Sequence, residues 1–167
     1  SPRPLGPRGR SVFHSLQMLR RLLPALFLLV SLVAPAGAQT KPAPVSYHTE
    51  LNLFYHEGQS AEKADDYQRS QCTLDIYYPT NRPGYATVIW LHGGGLTGGK
   101  RSWPVGLQDK EIAIVSASYR LSPKVHHDAI FDDVAALTAW TLRHIEERGG
   151  DPKKVFLGGH SAGGYLA

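Results

Sequence analysis

Five residues near the C-terminal end carry the chemistry most plainly. Gly159-His160-Ser161-Ala162-Gly163 has the form G-x-S-x-G, a turn that presents a serine hydroxyl between a strand and a helix. Serine attacks a carbonyl only when a base takes its proton, so the turn supplies a nucleophile and not a whole catalyst. The small residues let strand and helix pack closely around it. The residue after the serine, Ala162, offers a backbone N–H to the same reacting group. With this much glycine the pattern arises by accident in roughly one chain in ten, so it needs a second signal.

The second signal stands upstream at His92-Gly93-Gly94-Gly95, directly after the apolar run Ala86–Leu91. Acyl transfer puts negative charge on a former carbonyl oxygen. Backbone donors reach that oxygen only where the chain comes close, and glycine permits both the approach and positive φ angles. One such donor lowers the barrier by about 2.7–4 kcal/mol. On this reading Gly93, Gly94 and Ala162 form an oxyanion hole, Ser161 is the nucleophile, and His92 braces the loop through hydrogen bonds. Two nucleotide-binding readings compete for the same glycines. Gly93-x-Gly95-x-x-Gly98 has the form of a dinucleotide fingerprint, but Arg101-Ser102-Trp103-Pro104 is a poor start for the helix that must follow. Gly94-x4-Gly99-Lys100 approaches a phosphate-binding loop, but Arg101 stands where a magnesium-holding Ser or Thr is needed. The oxyanion reading is preferred, with no cofactor and no metal.

Other polar clusters are weaker candidates. His126-His127 are adjacent and project apart, and Asp132-Asp133 are expected to face solvent and a loop. His160 is too near the serine in sequence to serve as its base. Cys72 is the only cysteine, which excludes a disulfide within this sequence.

The elements that position these residues are legible from hydrophobic pattern. Tyr47–Tyr55 alternates loosely and reads as an early strand, and Glu57–Ser70 reads as loop. Cys72–Tyr78 alternates and ends at Pro79. Ala86–Leu91 and Ile112–Ala117 are continuous apolar runs of strand length, as in a parallel sheet buried on both faces, and Val155–Gly158 is a third, shorter run. Between the last two lies a helix. Ile130, Val134, Leu137, Thr141 and Ile145 recur at steps of three or four, with Trp140 beside the stripe. Asp128 is its expected cap and Gly149-Gly150 its stop. Strand, helix and strand in that order make a βαβ crossover.

The sequence has 167 residues and a formal net charge of +4. Residues 1–38 hold five basic and no acidic residues, which leaves 13 Lys+Arg against 14 Asp+Glu in the rest. The basic character therefore belongs to the N-terminal segment and does not argue for a nucleic-acid partner. Met18-Leu19-Arg20-Arg21, the apolar stretch Leu22–Val33 and Ala36-Gly37-Ala38 have the layout of a secretory signal peptide. The expected organisation is an upstream unstructured segment (1–17), a signal peptide (18–38) cleaved near Ala38, a linker and early strand (39–71), and a catalytic-domain portion (72–167). The expected location is periplasmic or extracellular, without a stable membrane span in the mature form.

These strings together resemble α/β-hydrolase carboxylesterases, in particular hormone-sensitive-lipase-like and kynurenine-formamidase-like esterases. The resemblance rests on Leu74-Asp75-Ile76-Tyr77-Tyr78-Pro79, His92-Gly93-Gly94-Gly95, Ser118-Tyr119-Arg120-Leu121-Ser122-Pro123, Gly149-Gly150-Asp151-Pro152 and Gly159–Gly164. It implies a doubly wound, mostly parallel α/β sheet, truncated here after the nucleophile elbow, with the site at the strand C-termini and a small-molecule ester as substrate. It also implies that the catalytic acid and histidine follow Ser161 in chain order. Residues 39–167 alone are accordingly expected to show no esterase turnover. Two other readings keep part of the picture: an arylformamidase or peptidase on the same fold, or a non-catalytic binding module.

Overall fold

The computed structural model describes residues 43–167. The signal-peptide and upstream segments read from the sequence lie outside them. Five strands form one sheet: β1 (Tyr47–Phe54), β2 (Thr73–Pro79), β3 (Tyr85–Leu91), β4 (Ala113–Ala117) and β5 (Gly150–Gly159), in the spatial order β1-β2-β4-β3-β5. The β4-β3-β5 portion is parallel, and β1 and β2 add on antiparallel. Because β1 pairs with β2, residues from Tyr47 onward belong to the same sheet as the candidate site.

The expected helix is present as α3 (His127–His144), after two short helices, α1 (Gln59–Glu62) and α2 (Asp66–Gln71). Its buried face includes Ile130, Val134, Leu137, Trp140 and Thr141, the stripe that the spacing predicts. Two details differ from expectation. His126, not Asp128, occupies the cap position, and its side chain makes no capping bond. A 3-10 turn at Glu146–Arg148 extends the helix, and Gly149 closes it with φ 92°, a left-handed conformation that glycine adopts without strain.

Residues 57–70 were expected to be loop but hold α1 and α2. The Asp65 carboxylate accepts from the Gln68 N–H at 2.7 Å and caps α2. Neither helix buries a residue, so neither leaves an apolar period in the sequence. Strand β5 starts at Gly150, five residues before the apolar run, because Gly150 pairs with Tyr85 across a local irregularity in register. The Pro152 ring is tolerated there because it falls in that irregularity, where the ladder needs no N–H from it. Burial also departs from the simple expectation. β4, flanked by β2 and β3, is buried throughout, whereas β3 alternates between buried and half-buried positions.

Candidate active site

Ser161 sits between β5 and α4 (Ala162–Leu166) at φ 54° and ψ −118°. A non-glycine residue in this region is strained, and the strain is held by the packing around it. That packing leaves no room for side chains. A Cβ on Gly159 would lie 2.4 Å from the Gly163 carbonyl carbon, and one on Gly163 would lie 2.2 Å from the Leu91 carbonyl oxygen. The His160 N–H donates to the Leu91 carbonyl at 3.1 Å, and the Gly163 N–H donates to the His160 carbonyl at 2.9 Å. The elbow is thereby locked onto the end of β3. Ser161 itself is exposed.

The glycine loop begins where β3 ends, so both motifs arrive at the same place. A Cβ on Gly93 would stand 3.2 Å from the Ser161 Cβ and 2.9 Å from the His160 carbonyl oxygen. Gly94 has φ 123° and Gly95 φ 61°. The Gly94 carbonyl accepts from the N–H groups of Thr97 and Gly98, each at 3.1 Å, which closes the turn. Among the described residues no acceptor takes the N–H of Gly93, Gly94 or Ala162. The structure thus brings Ser161, Gly93 and Ala162 together, with Gly94 next in the loop. Ser161 Oγ has no hydrogen-bonding partner among the described residues, and His160 is exposed beside it.

His92 braces this loop. Its Nδ1 donates to the Gly93 carbonyl at 2.7 Å, and its ring stacks on Tyr119 with centroids 4.4 Å apart. The Tyr119 hydroxyl donates to the His92 carbonyl at 2.6 Å. Burial holds the imidazole below its ordinary pKa, partly offset by the bond to Gly93. The ring is therefore a neutral strut. The Ser122 N–H donates to the Leu96 carbonyl at 2.8 Å, a second tie between the glycine loop and the segment after β4.

A cavity of about 800 Å³ opens in front of the serine. Its walls include Trp90, Trp103, Pro104 and Leu107, with Gly93, His160 and Ser161 at one end. The lining is predominantly apolar, the kind that holds an alkyl or aryl group beside a few polar donors.

Sequence reasoning missed a buried polar network, which lies outside this cavity. Asp133 is fully buried and is not a solvent-facing helix residue. It accepts from Arg120 Nη2 at 2.6 Å, from Arg120 Nε at 2.9 Å, from the Arg120 backbone N–H at 3.0 Å and lies 3.0 Å from His56 Nε2. Burial pushes its carboxyl up, but the bonds from His56 and Arg120 outweigh that and hold it below the usual range. A signal was available: Asp133 stands three residues after Ile130 and four before Leu137, which places it on the buried stripe itself. Cys72 joins Asp133 and His56 within 4.8 Å, the spacing of a metal site. The chemistry does not fit a metal. The guanidinium already occupies the carboxylate, and burial pushes the thiol up to about 12, so it stays protonated. His126 and Asp132 lie on the surface.

The parallel strands, the strained serine between β5 and α4, and the glycine turn beside it define an α/β-hydrolase. The chain has the α/β-hydrolase fold, and residues 88–167 match the family described as alpha/beta hydrolase fold. Its relatives point to one branch. The chain is similar to the carboxylesterase NlhH of Mycobacterium tuberculosis, 34% identical over 101 residues that cover 55% of this chain and 31% of that protein. Esterase LipI of the same organism is 33% identical over 103 residues, again 55% of this chain and 31% of the relative. Among solved structures, esterase B from Lactobacillus rhamnosis superposes with a TM-score of 0.61 at 32% identity, covering 75% of this chain and 40% of that one. The chain therefore spans about a third of the length of the curated relatives it matches. No described helix is long and apolar enough to cross a membrane.

Proposed function

We propose that the protein is a serine hydrolase that cleaves carboxylic esters through an acyl-enzyme, with Ser161 as nucleophile and the N–H groups of Gly93, Gly94 and Ala162 as the oxyanion hole. One observation carries the reading: an exposed serine at φ 54° lies against a glycine loop whose N–H groups are not consumed by the fold. In this mechanism the Ser161 hydroxyl loses its proton to a base as it attacks the ester carbonyl. The oxyanion is held by the backbone donors, and the tetrahedral adduct expels the alcohol as the base returns its proton. Water then releases the acid by the same route. The base and its acid are assigned to sequence beyond residue 167, following the order that the resemblance implies. NlhH, LipI and esterase B, each named as an esterase, support the ester as the bond attacked. The apolar cavity supports a small molecule with an alkyl or aryl group.

The test is covalent. A fluorophosphonate labels only an activated serine, so the full-length protein is expected to label at Ser161 and Ser161→Ala not at all. Labelling at another serine, or equal labelling of the variant, refutes the assignment. We also infer that the protein is exported after cleavage near Ala38. N-terminal sequencing of the mature protein is expected to begin at Gln39, and a mature chain that still carries Met18–Ala38 would refute this.

A further inference from the structure

The outer wall of the cavity is built from a segment with no regular structure of its own. Residues 92–112 join β3 to β4 without a helix. Trp103, Pro104 and Leu107 come from this stretch, flanked by Lys100 and Ser102. Something other than helical hydrogen bonding must hold them.

Arg101 does so, between two lining residues. Its Nε lies 2.8 Å from Asp75 Oδ2 on β2. Its Nη1 donates to Thr73 Oγ1 at 2.8 Å, and its Nη2 donates to Asn52 Oδ1. Its backbone N–H donates to Ser118 Oγ at 3.3 Å. The acceptor Asn52 sits at an irregularity of its own strand. The β1–β2 register slips between Glu50 and Leu53, and Asn52 takes φ 58°, a left-handed conformation that costs a non-glycine residue energy. Its N–H donates to the Asp75 Oδ1 at 2.8 Å. The bulge therefore presents one Asn to both partners of the ion pair. Farther along, the Tyr77 hydroxyl donates to Asp109 Oδ1 at 2.5 Å, and the Glu111 N–H donates to the Tyr47 hydroxyl at 3.0 Å. The wall is thus tied to β1 and β2 at both ends, and between them Trp103 packs against Tyr77.

We propose that Arg101 is a positioning residue that sets the cavity wall at Trp103–Leu107, and that the β1 bulge at Asn52 with Asp75 is its socket, so that the N-terminal hairpin determines how large an apolar group the site accepts. The kinetic half of this rests on the esterase reading. The geometric half does not. A planar guanidinium that donates to two separate acceptors, Thr73 and Asn52, and lies against the Asp75 carboxylate fixes a loop in a way a single charge cannot.

Two measurements on the full-length protein test it. In the first, native-state trypsin cleavage after Lys100 and Arg101 is followed in wild type, Asp75→Ala and Asn52→Ala. Release from the socket is expected to speed cleavage there at least tenfold, with cleavage at Lys153-Lys154 unchanged. Equal rates at Arg101 overturn the proposal. In the second, Arg101→Ala and Asp75→Ala are assayed on acetate and hexanoate esters of one alcohol. KM for hexanoate is expected to rise about tenfold while kcat on acetate stays within threefold, with Arg101→Lys intermediate. A loss equal on both esters and proportional to a fall in Tm overturns the positioning role. If the wild type turns over neither ester while the trypsin contrast holds, the esterase reading falls and the socket stands.

Discussion

Replacing Gly163 by alanine is expected to damage the protein although it should help a helix. Gly163 lies in α4 with an ordinary helical φ, and alanine there is intrinsically better than glycine by about 1 kcal/mol. Against this, its Cβ would stand 2.2 Å from the Leu91 carbonyl oxygen, 2.6 Å from its carbon and 2.7 Å from the His92 oxygen. Ordinary contact begins at 3.4 Å, so strand end and helix must part by about 1.2 Å. The atoms struck are backbone and cannot rotate away. Overpacking of this kind costs up to about 3 kcal/mol, which leaves a net loss of about 2 kcal/mol. The same shift carries Ser161 away from Gly93, and a displacement of 1 Å costs about a hundredfold in rate. Two neighbours calibrate the result. A Cβ on Gly158 meets nothing within 4 Å, and one on Gly164 lies 3.3 Å from the Gly159 oxygen. Gly158→Ala is expected to be silent, within about 0.5 kcal/mol, and Gly164→Ala to be mild. Urea denaturation followed by tryptophan fluorescence, with ester turnover of the full-length protein, reads all three. A Gly163→Ala protein as stable and active as wild type refutes the argument, as does a Gly158→Ala protein equally damaged.

Asp133→Asn leaves the Arg120 guanidinium half-buried without its carboxylate, and is expected to destabilise by about 3 kcal/mol, read from the urea midpoint. A change under 1 kcal/mol would show the network to be dispensable. Stability is expected to decline as pH falls below 6.5, the ordinary histidine value. Burial keeps the folded His92 neutral there while the unfolded chain takes up a proton. His92→Gln should flatten that part of the curve, and an unchanged slope would assign it to another group. Gly99→Ala should disrupt the glycine loop, because at φ 98° its Cβ would fall 2.2 Å from the Gly93 oxygen. Normal fluorophosphonate labelling of that variant would count against the loop's role.

The α3 stripe was legible because Ile130, Val134, Leu137 and Thr141 all meet one core, and a helix buried on one side writes its period into the sequence. The serine turn and the glycine loop were legible because close backbone approach admits few residue types. Less was visible where structure depends on polar partners far apart in sequence. Asp133 carries no local sign of Arg120 and His56, and Asn52 none of Arg101. The short helices at 59–71 bury nothing, so no hydrophobic period betrays them.

The Asp133 carboxylate gathers His56 from 77 positions upstream, and Arg120 from 13. Any shortened expression version that begins after residue 56 would bury an acid stripped of one donor. A fragment that keeps this pair must therefore begin upstream of His56. Its refolding should wait on that pairing, since contacts so distant along the chain form slowly.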